Sequence, residues 1–214
     1  MDINTFYWSL SYVHLSFFGL VILSGLITFS KSDSLGRWFL AYLSCMFLIC
    51  LASLVLAKYG IRNLFLGNWE IVTETLLIGL WFPLTFRNQR SKHAARWMAV
   101  LILAVLAIEM VGWQRMTDLG DTAAMVKCLA IITCSTLGIV QLMANEGVPR
   151  LSRVPYLWFF IGLLVTNTFS CLFNVFRGDL LGYSTELFIE FACLDLLLQI
   201  CAFSLYGYVF WILY

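Results

Sequence analysis

The chain has 214 residues, 62% of them apolar and 12% charged, with 18 Phe, 9 Tyr and 8 Trp and a mean hydropathy of +0.90. A soluble domain averages about half apolar and a quarter charged, so that class is excluded. Thirteen Lys and Arg against twelve Asp and Glu leave a net charge of +1, which makes no field for nucleic acid, and three prolines without a low-complexity tract exclude a disordered chain. A multi-pass protein of the cell membrane remains, with the lipid bilayer as its first partner.

Apolar runs of roughly 17–25 residues are long enough to cross a hydrocarbon core. The first runs from Phe6 to Thr28 and carries His14, flanked by Ser11, Tyr12 and Ser16. Met1-Asp2-Ile3-Asn4-Thr5 has no basic character, so this run reads as a retained helix and not a signal peptide. The second spans Trp38 to Ala57. The third, Leu64 to Phe86, holds Glu70 and Glu74 on one helical face and then Gly79, Trp81 and Pro83. Proline at 83 cannot donate to the carbonyl of residue 79, so a kink is expected there. Trp81, two turns below Glu74, is a candidate for lining a pocket. The fourth runs from Trp97 to Gln114 with Glu109, and the fifth from Thr122 to Met143 with Lys127 and Gln141. The sixth, Pro155 to Phe176, carries Asn167 and Asn174. The seventh, Ser184 to Tyr214, carries Glu186, Glu190, Asp195, Gln199 and Ser204. No period-two alternation suggests a barrel, so the expected fold is all-α: one domain, residues 1–214, a seven-helix transmembrane bundle.

Alternate connections differ in basic content. One set holds Lys31, Arg37, Arg87, Arg90, Lys92, Arg96, Arg150 and Arg153, and the other Lys58, Arg62, Arg115 and Arg177. The positive-inside rule then puts the amino terminus outside and the carboxyl terminus in the cytoplasm. All seven cysteines lie within spans without a C-x-x-C pair, which reads as packing and not a disulfide framework. Trp38, Trp69, Trp97, Trp113, Trp158 and Tyr183 sit near span ends, as interfacial aromatics do.

Depth is the informative quantity. At 1.5 Å per residue, Glu70 and Glu190 lie roughly 9 Å below one face, His14 roughly 12 Å, Glu74 and Asp195 roughly 15 Å, and Glu109 and Lys127 roughly 8 Å. All fall in the half of the membrane nearest the amino terminus, with Asn167 and Asn174, while Gln141, Gln199 and Ser204 are assigned to the other half. A charge at the bilayer centre costs at least ~2.5–3.5 kcal/mol, so these groups must face one another or water. A shared acidic cavity is expected, and neighbouring carboxylates within it cannot all carry charge at once. The polar positions on the seventh helix cover a wide arc, which suggests a helix lodged inside the bundle.

Several chemistries find no support. The last helix has no Schiff-base lysine, paired intramembrane histidines for haem are missing, and no H-E-x-x-H, P-loop or G-x-S-x-G motif or His/Cys zinc set occurs. No cofactor or metal is implied.

Ala57-Lys58-Tyr59-Gly60-Ile61-Arg62-Asn63-Leu64, followed by Asn68-Trp69-Glu70-Ile71-Val72-Thr73-Glu74, resembles the corresponding stretch of small bacterial seven-helix membrane proteins of no established activity. Trp69-Glu70-Ile71-Val72 is also similar to the tryptophan–glutamate motif of fungal membrane-bound terpene cyclases of meroterpenoid and indole-diterpene pathways. Tyr206-Gly207-Tyr208-Val209-Phe210-Trp211 is similar to their aromatic carboxyl end. That second resemblance implies an early glutamate and a last-helix aspartate that protonate a polyprenyl epoxide or alkene. Glu70 matches the first, whereas Phe203 stands where the family has its aspartate and Asp195 is the nearest acid.

Three functions follow as expectations. In the first, a receptor-like or transport-related bundle binds a small amphipathic or cationic molecule through Glu70, Glu74, Glu190, Asp195, His14, Trp81 and Asn167. Signalling would then need a membrane or cytoplasmic protein partner, met through the Arg87–Arg96 loop or the helix faces. In the second, an acid-initiated enzyme acts on a lipophilic substrate with Glu70 or Asp195 as the catalytic acid. In the third, an accessory subunit uses the polar groups only to fix helix packing.

Overall fold

The computed structural model describes residues 2–61, 63, 65–112, 121–144 and 153–213. Among them every long element is a helix: α1 (Ile3–Ile27), α2 (Ser34–Lys58), α3 (Phe65–Leu76, continued by a π turn Leu77–Trp81 and a short α turn Phe82–Thr85), α4 (Gln89–Gly112), α5 (Asp121–Met143), α6 (Pro155–Tyr183) and α7 (Thr185–Tyr208, closed by a π turn Val209–Leu213). Six of the seven, all but α3, are long and apolar enough to cross a membrane.

The interruption of α3 has a local cause. Pro83 has no N–H to give, and just before it the Phe82 N–H reaches five residues back to Leu77 O. The wider turn takes up one extra residue, as π bulges do. At its centre Gly79 admits α4 closely, because a Cβ there would lie 3.0 Å from the Ala99 Cβ.

Helix ends follow from capping chemistry. Asp33 accepts from the Gly36 N–H at 2.7 Å at the start of α2, and Asn88 accepts from the Arg90 N–H at 2.9 Å near the start of α4. The cap at Asn88 makes most of the expected Arg87–Arg96 loop helical, so α4 begins well before Trp97 and only a short turn follows α3. The end of α2 is a Schellman turn: Ile61 N–H donates to Leu56 O, Gly60 N–H donates to Ala57 O, and Gly60 takes a φ of 68° that favours glycine. The expected ends Leu64, Gln114 and Tyr214, the interfacial Trp113, and Arg62, Arg115 and Arg150 lie outside the described residues. Trp38, Trp69, Trp97 and Tyr183 are exposed, while Trp158 is half-buried with its ring edge-on to Tyr208.

Around the bundle, α1 packs along α7, α7 along α6, α6 along α5, and α5 against α4 and α3, while α2 stands between α1 and α3. α7 is the least buried of the six long apolar helices and belongs to the rim, contrary to the wide-arc expectation, because its polar residues split between an inward and an outward face. In the half away from the amino terminus the centre is filled by rings. Phe39 stacks on Phe159 at 4.1 Å, Trp81 and Tyr206 meet Phe39 at 5.2 and 5.1 Å, and Phe82 stacks on Phe160 at 5.8 Å.

Gly162 lets α6 touch this layer, since a Cβ there would fall 2.7 Å from both Cζ and the hydroxyl of Tyr206. That ring is also flanked by Phe39 and Phe159. Gly162→Ala is therefore expected to destabilise the detergent-solubilised protein by about 1–3 kcal/mol through overpacking. Gly182→Ala, with open space around the added carbon, should leave the thermal midpoint unchanged or slightly higher; equal midpoints for the two variants would refute this account of the packing.

Candidate functional site

A cavity of about 610 Å³ occupies the half of the bundle nearest the amino terminus, walled by α1, α2, α3, α5, α6 and α7. Of the residues expected there, His14, Glu70, Glu74, Lys127, Asn167, Asn174 and Asp195 all line it. Its deep end is apolar and aromatic, with Phe18, Leu43, Phe203 and Tyr206, and Phe18 stacks on Phe203 at 4.1 Å. Beyond lies the filled ring layer, so the cavity ends blind near the middle of the bundle.

Side-chain hydrogen bonds tie its walls together. His14 Nε2 donates to Gln199 Oε1 at 2.8 Å, Gln199 Nε2 donates to Asp195 Oδ2 at 2.7 Å, and Ser170 Oγ donates to Asp195 Oδ1 at 3.0 Å. This chain crosses from α1 through α7 to α6. Both Asp195 oxygens accept, which is the bonding of a carboxylate. Gln199, assigned from sequence to the other half, nevertheless lines the cavity, one helical turn beyond Asp195. Asn167 lies deeper and satisfies itself by donating to Leu163 O at 3.0 Å.

On the opposite wall the buried Lys127 ammonium donates to Glu74 Oε2 in a salt bridge. The Tyr42 hydroxyl donates to Glu74 Oε1 at 3.4 Å. Glu74 is thus matched by a full charge and a hydroxyl. Glu70, one turn nearer the membrane face, is different: it lines the cavity, within electrostatic reach of Lys127, yet forms no hydrogen bond or salt bridge among the described residues.

Two expected residues lie elsewhere. Glu190 is exposed, because it sits about 140° round α7 from Asp195, on the outer side. Trp81 is buried in the ring layer, where its indole N–H donates to Leu35 O at 3.0 Å. The extra residue in the π turn rotates it by about 100° from the face that an uninterrupted helix would share with Glu74. Glu109 has a local task, since its two oxygens accept from the Thr122 and Ala123 N–H groups at 2.9 and 3.1 Å and cap α5. Glu186 is exposed in the first turn of α7, where the helix dipole favours an acid.

Sequence reasoning missed the wall given by α2. Tyr42, Met46, Cys50, Ser53 and Ala57 line the cavity, and their spacing of three and four is the signal that could have found them. Among the described residues no group of three or more His, Cys, Asp or Glu is arranged to hold a metal ion. No known family, curated protein or solved structure matches the chain.

The buried pair yields a test. Lys127→Met strands the Glu74 carboxylate in an apolar wall and should lower stability by about 3–5 kcal/mol, whereas adding Glu74→Leu should recover most of that loss. Thermal unfolding of the three proteins measures it, and a double variant no better than the single one refutes the pairing.

Proposed function

We propose that this chain is a seven-span membrane protein whose cavity binds a small amphipathic cation, with Glu70 as the counter-ion. The observation that carries this reading is the contrast among three acids sharing one cavity. Glu74 has its lysine and Asp195 its two donors, while Glu70 faces open volume without a hydrogen bond or salt bridge among the described residues. A carboxylate in that position is stabilised by an ammonium group, and the ring-lined deep end suits the ligand's apolar part. Polar orienting groups in a mostly apolar pocket are the usual make-up of a small-molecule site. The ring layer that fills the other half favours a receptor or sensor over a transporter, which needs a route through.

α3 completes the seventh span, since Phe65 through Thr85 at 1.5 Å per residue covers roughly 30 Å. The amino terminus is external and the carboxyl terminus cytoplasmic by the distribution of basic residues, so the cavity serves the outer leaflet. A carboxyl-terminal epitope is then expected to react with antibody only in permeabilised cells; reaction with intact cells would invert the assignment.

The acid-initiated cyclase is the second reading, favoured by Glu70 and Asp195 sharing one cavity with aromatic rings. Asp195 accepts on both oxygens and so is poorly arranged to donate a proton, which leaves Glu70 as the sole acid for such a reaction.

Titration of the protein in phosphatidylcholine nanodiscs with decyltrimethylammonium should give saturable binding. Glu70→Gln should weaken it by at least about tenfold, or ~1.4 kcal/mol, with the thermal midpoint unchanged. A lowered midpoint without any binding in the parent protein would point to a packing role for Glu70. Turnover of a polyprenyl epoxide that is lost in Glu70→Gln would establish the enzyme instead.

A further inference from the structure

The six helices around the cavity meet at six flanks, and five of these are fastened by side-chain hydrogen bonds at cavity level. His14–Gln199 joins α1 to α7, and Ser170–Asp195 joins α6 to α7. Asn174 donates to Cys128 Sγ at 4.0 Å between α6 and α5, and Lys127–Glu74 joins α5 to α3. Between α3 and α2, Tyr42 donates to Glu74, and just ahead of α3 Asn63 Nδ2 donates to Ser53 O and Oγ at 2.8 and 2.7 Å. The sixth flank, α1 against α2, has no such bond among the described residues at this end.

Three close contacts of α1 with α2 lie between mid-helix and their shared turn. Gly25 admits the Leu40 side chain, Gly19 abuts Phe47, and the Phe18 ring meets that of Phe47 at 5.6 Å. α1 packs far more extensively on α7 than on α2. Nearer the amino terminus, Trp8 and Leu15 of α1 and Ile49 and Leu54 of α2 line the cavity itself. Trp8 is both a lining residue and 37% exposed, so its indole stands at the boundary between cavity and surroundings.

We propose that the α1–α2 flank is a lateral portal through which the ligand enters from the bilayer past Trp8, and that the ligand is a membrane-partitioned, single-chain amine and not a water-borne cation. The inference rests on the binding reading above and adds the route and the ligand class to it. An amphiphile in the leaflet already has its head at the interface and its chain at depth, the order in which the cavity presents Glu70 and then Phe18, Phe203 and Tyr206. The portal is lined by an indole and aliphatic side chains, so a chain passes without exposing polar backbone.

Radiolabelled decyltrimethylammonium, bound to the full chain in phosphatidylcholine nanodiscs, tests the portal by filter-binding kinetics. Leu54→Trp, which narrows the gap, should slow both association and dissociation by about fivefold or more, whatever shift in Kd the altered lining brings. Trp8→Ala, which widens it, should speed both, and Val13→Trp on the exposed face of α1 should alter neither. Hexamethonium, a water-soluble dication that does not partition into lipid, should fail to compete. Glu70-dependent binding with unaltered rates in both portal variants, or effective competition by hexamethonium, overturns the portal and leaves the site standing. Absence of Glu70-dependent binding in the parent protein overturns both.

Discussion

A lysine ammonium and a glutamate carboxylate set against each other within hydrocarbon-like surroundings constrain this molecule more than any other contact. Either ion alone would cost several kcal/mol in such a medium, so Lys127 and Glu74 must meet, and their meeting fixes the rotation of α5 against α3. Once those helices are registered, Glu70 is committed to the same face of α3 and Tyr42 of α2 is drawn to the pair. The second polar chain, from His14 through Gln199 and Asp195 to Ser170, does for α1, α7 and α6 what the ion pair does for α3 and α5. Between two such fastened walls a space is left that neither wall fills.

That space persists because the packing energy lies at the other end. Phe39, Trp81, Phe82, Phe159, Phe160 and Tyr206 make contiguous ring contacts there, and buried aromatics supply large dispersion and area terms. Where lipid tails are as apolar as any side chain, the gain comes from close fit, which the small residues Gly79 and Gly162 permit. One half of the bundle is thus held by shape and the other by polar pairing. The polar half tolerates a cavity because its hydrogen bonds are directional and need no full contact around them.

Much of this division was legible in the sequence. Depth arithmetic depends only on span order and the helical rise, and the five residues that it grouped without any knowledge of packing, His14, Glu70, Glu74, Lys127 and Asp195, line one cavity. It failed where a residue's face, not its depth, decides its surroundings. Glu190 has the depth of Glu70 but the outward side of α7, and Trp81 was turned away by a single inserted residue that periodicity cannot register. α2 was overlooked because it has no Asp, Glu, His, Lys or Arg between Arg37 and Lys58, and its hydroxyls and small residues are ambiguous until a neighbour's carboxylate explains them. The start of α4 was misread because charge was equated with loop, whereas Asn88 caps a helix whose first turns carry the basic residues.

α2 then has an unusual position among the walls. It is held to α3 by the Tyr42 hydroxyl and by the Asn63–Ser53 bonds, and to α1 by apolar contacts from mid-helix to their common turn. Its cavity half is therefore hydrogen-bonded on the α3 side, while Gly25–Leu40 and Phe18–Phe47 are apolar contacts on the α1 side. An occupant seated there, as proposed above, would share the cavity with Tyr42, whose hydroxyl meets the same carboxylate that the Lys127 ammonium holds.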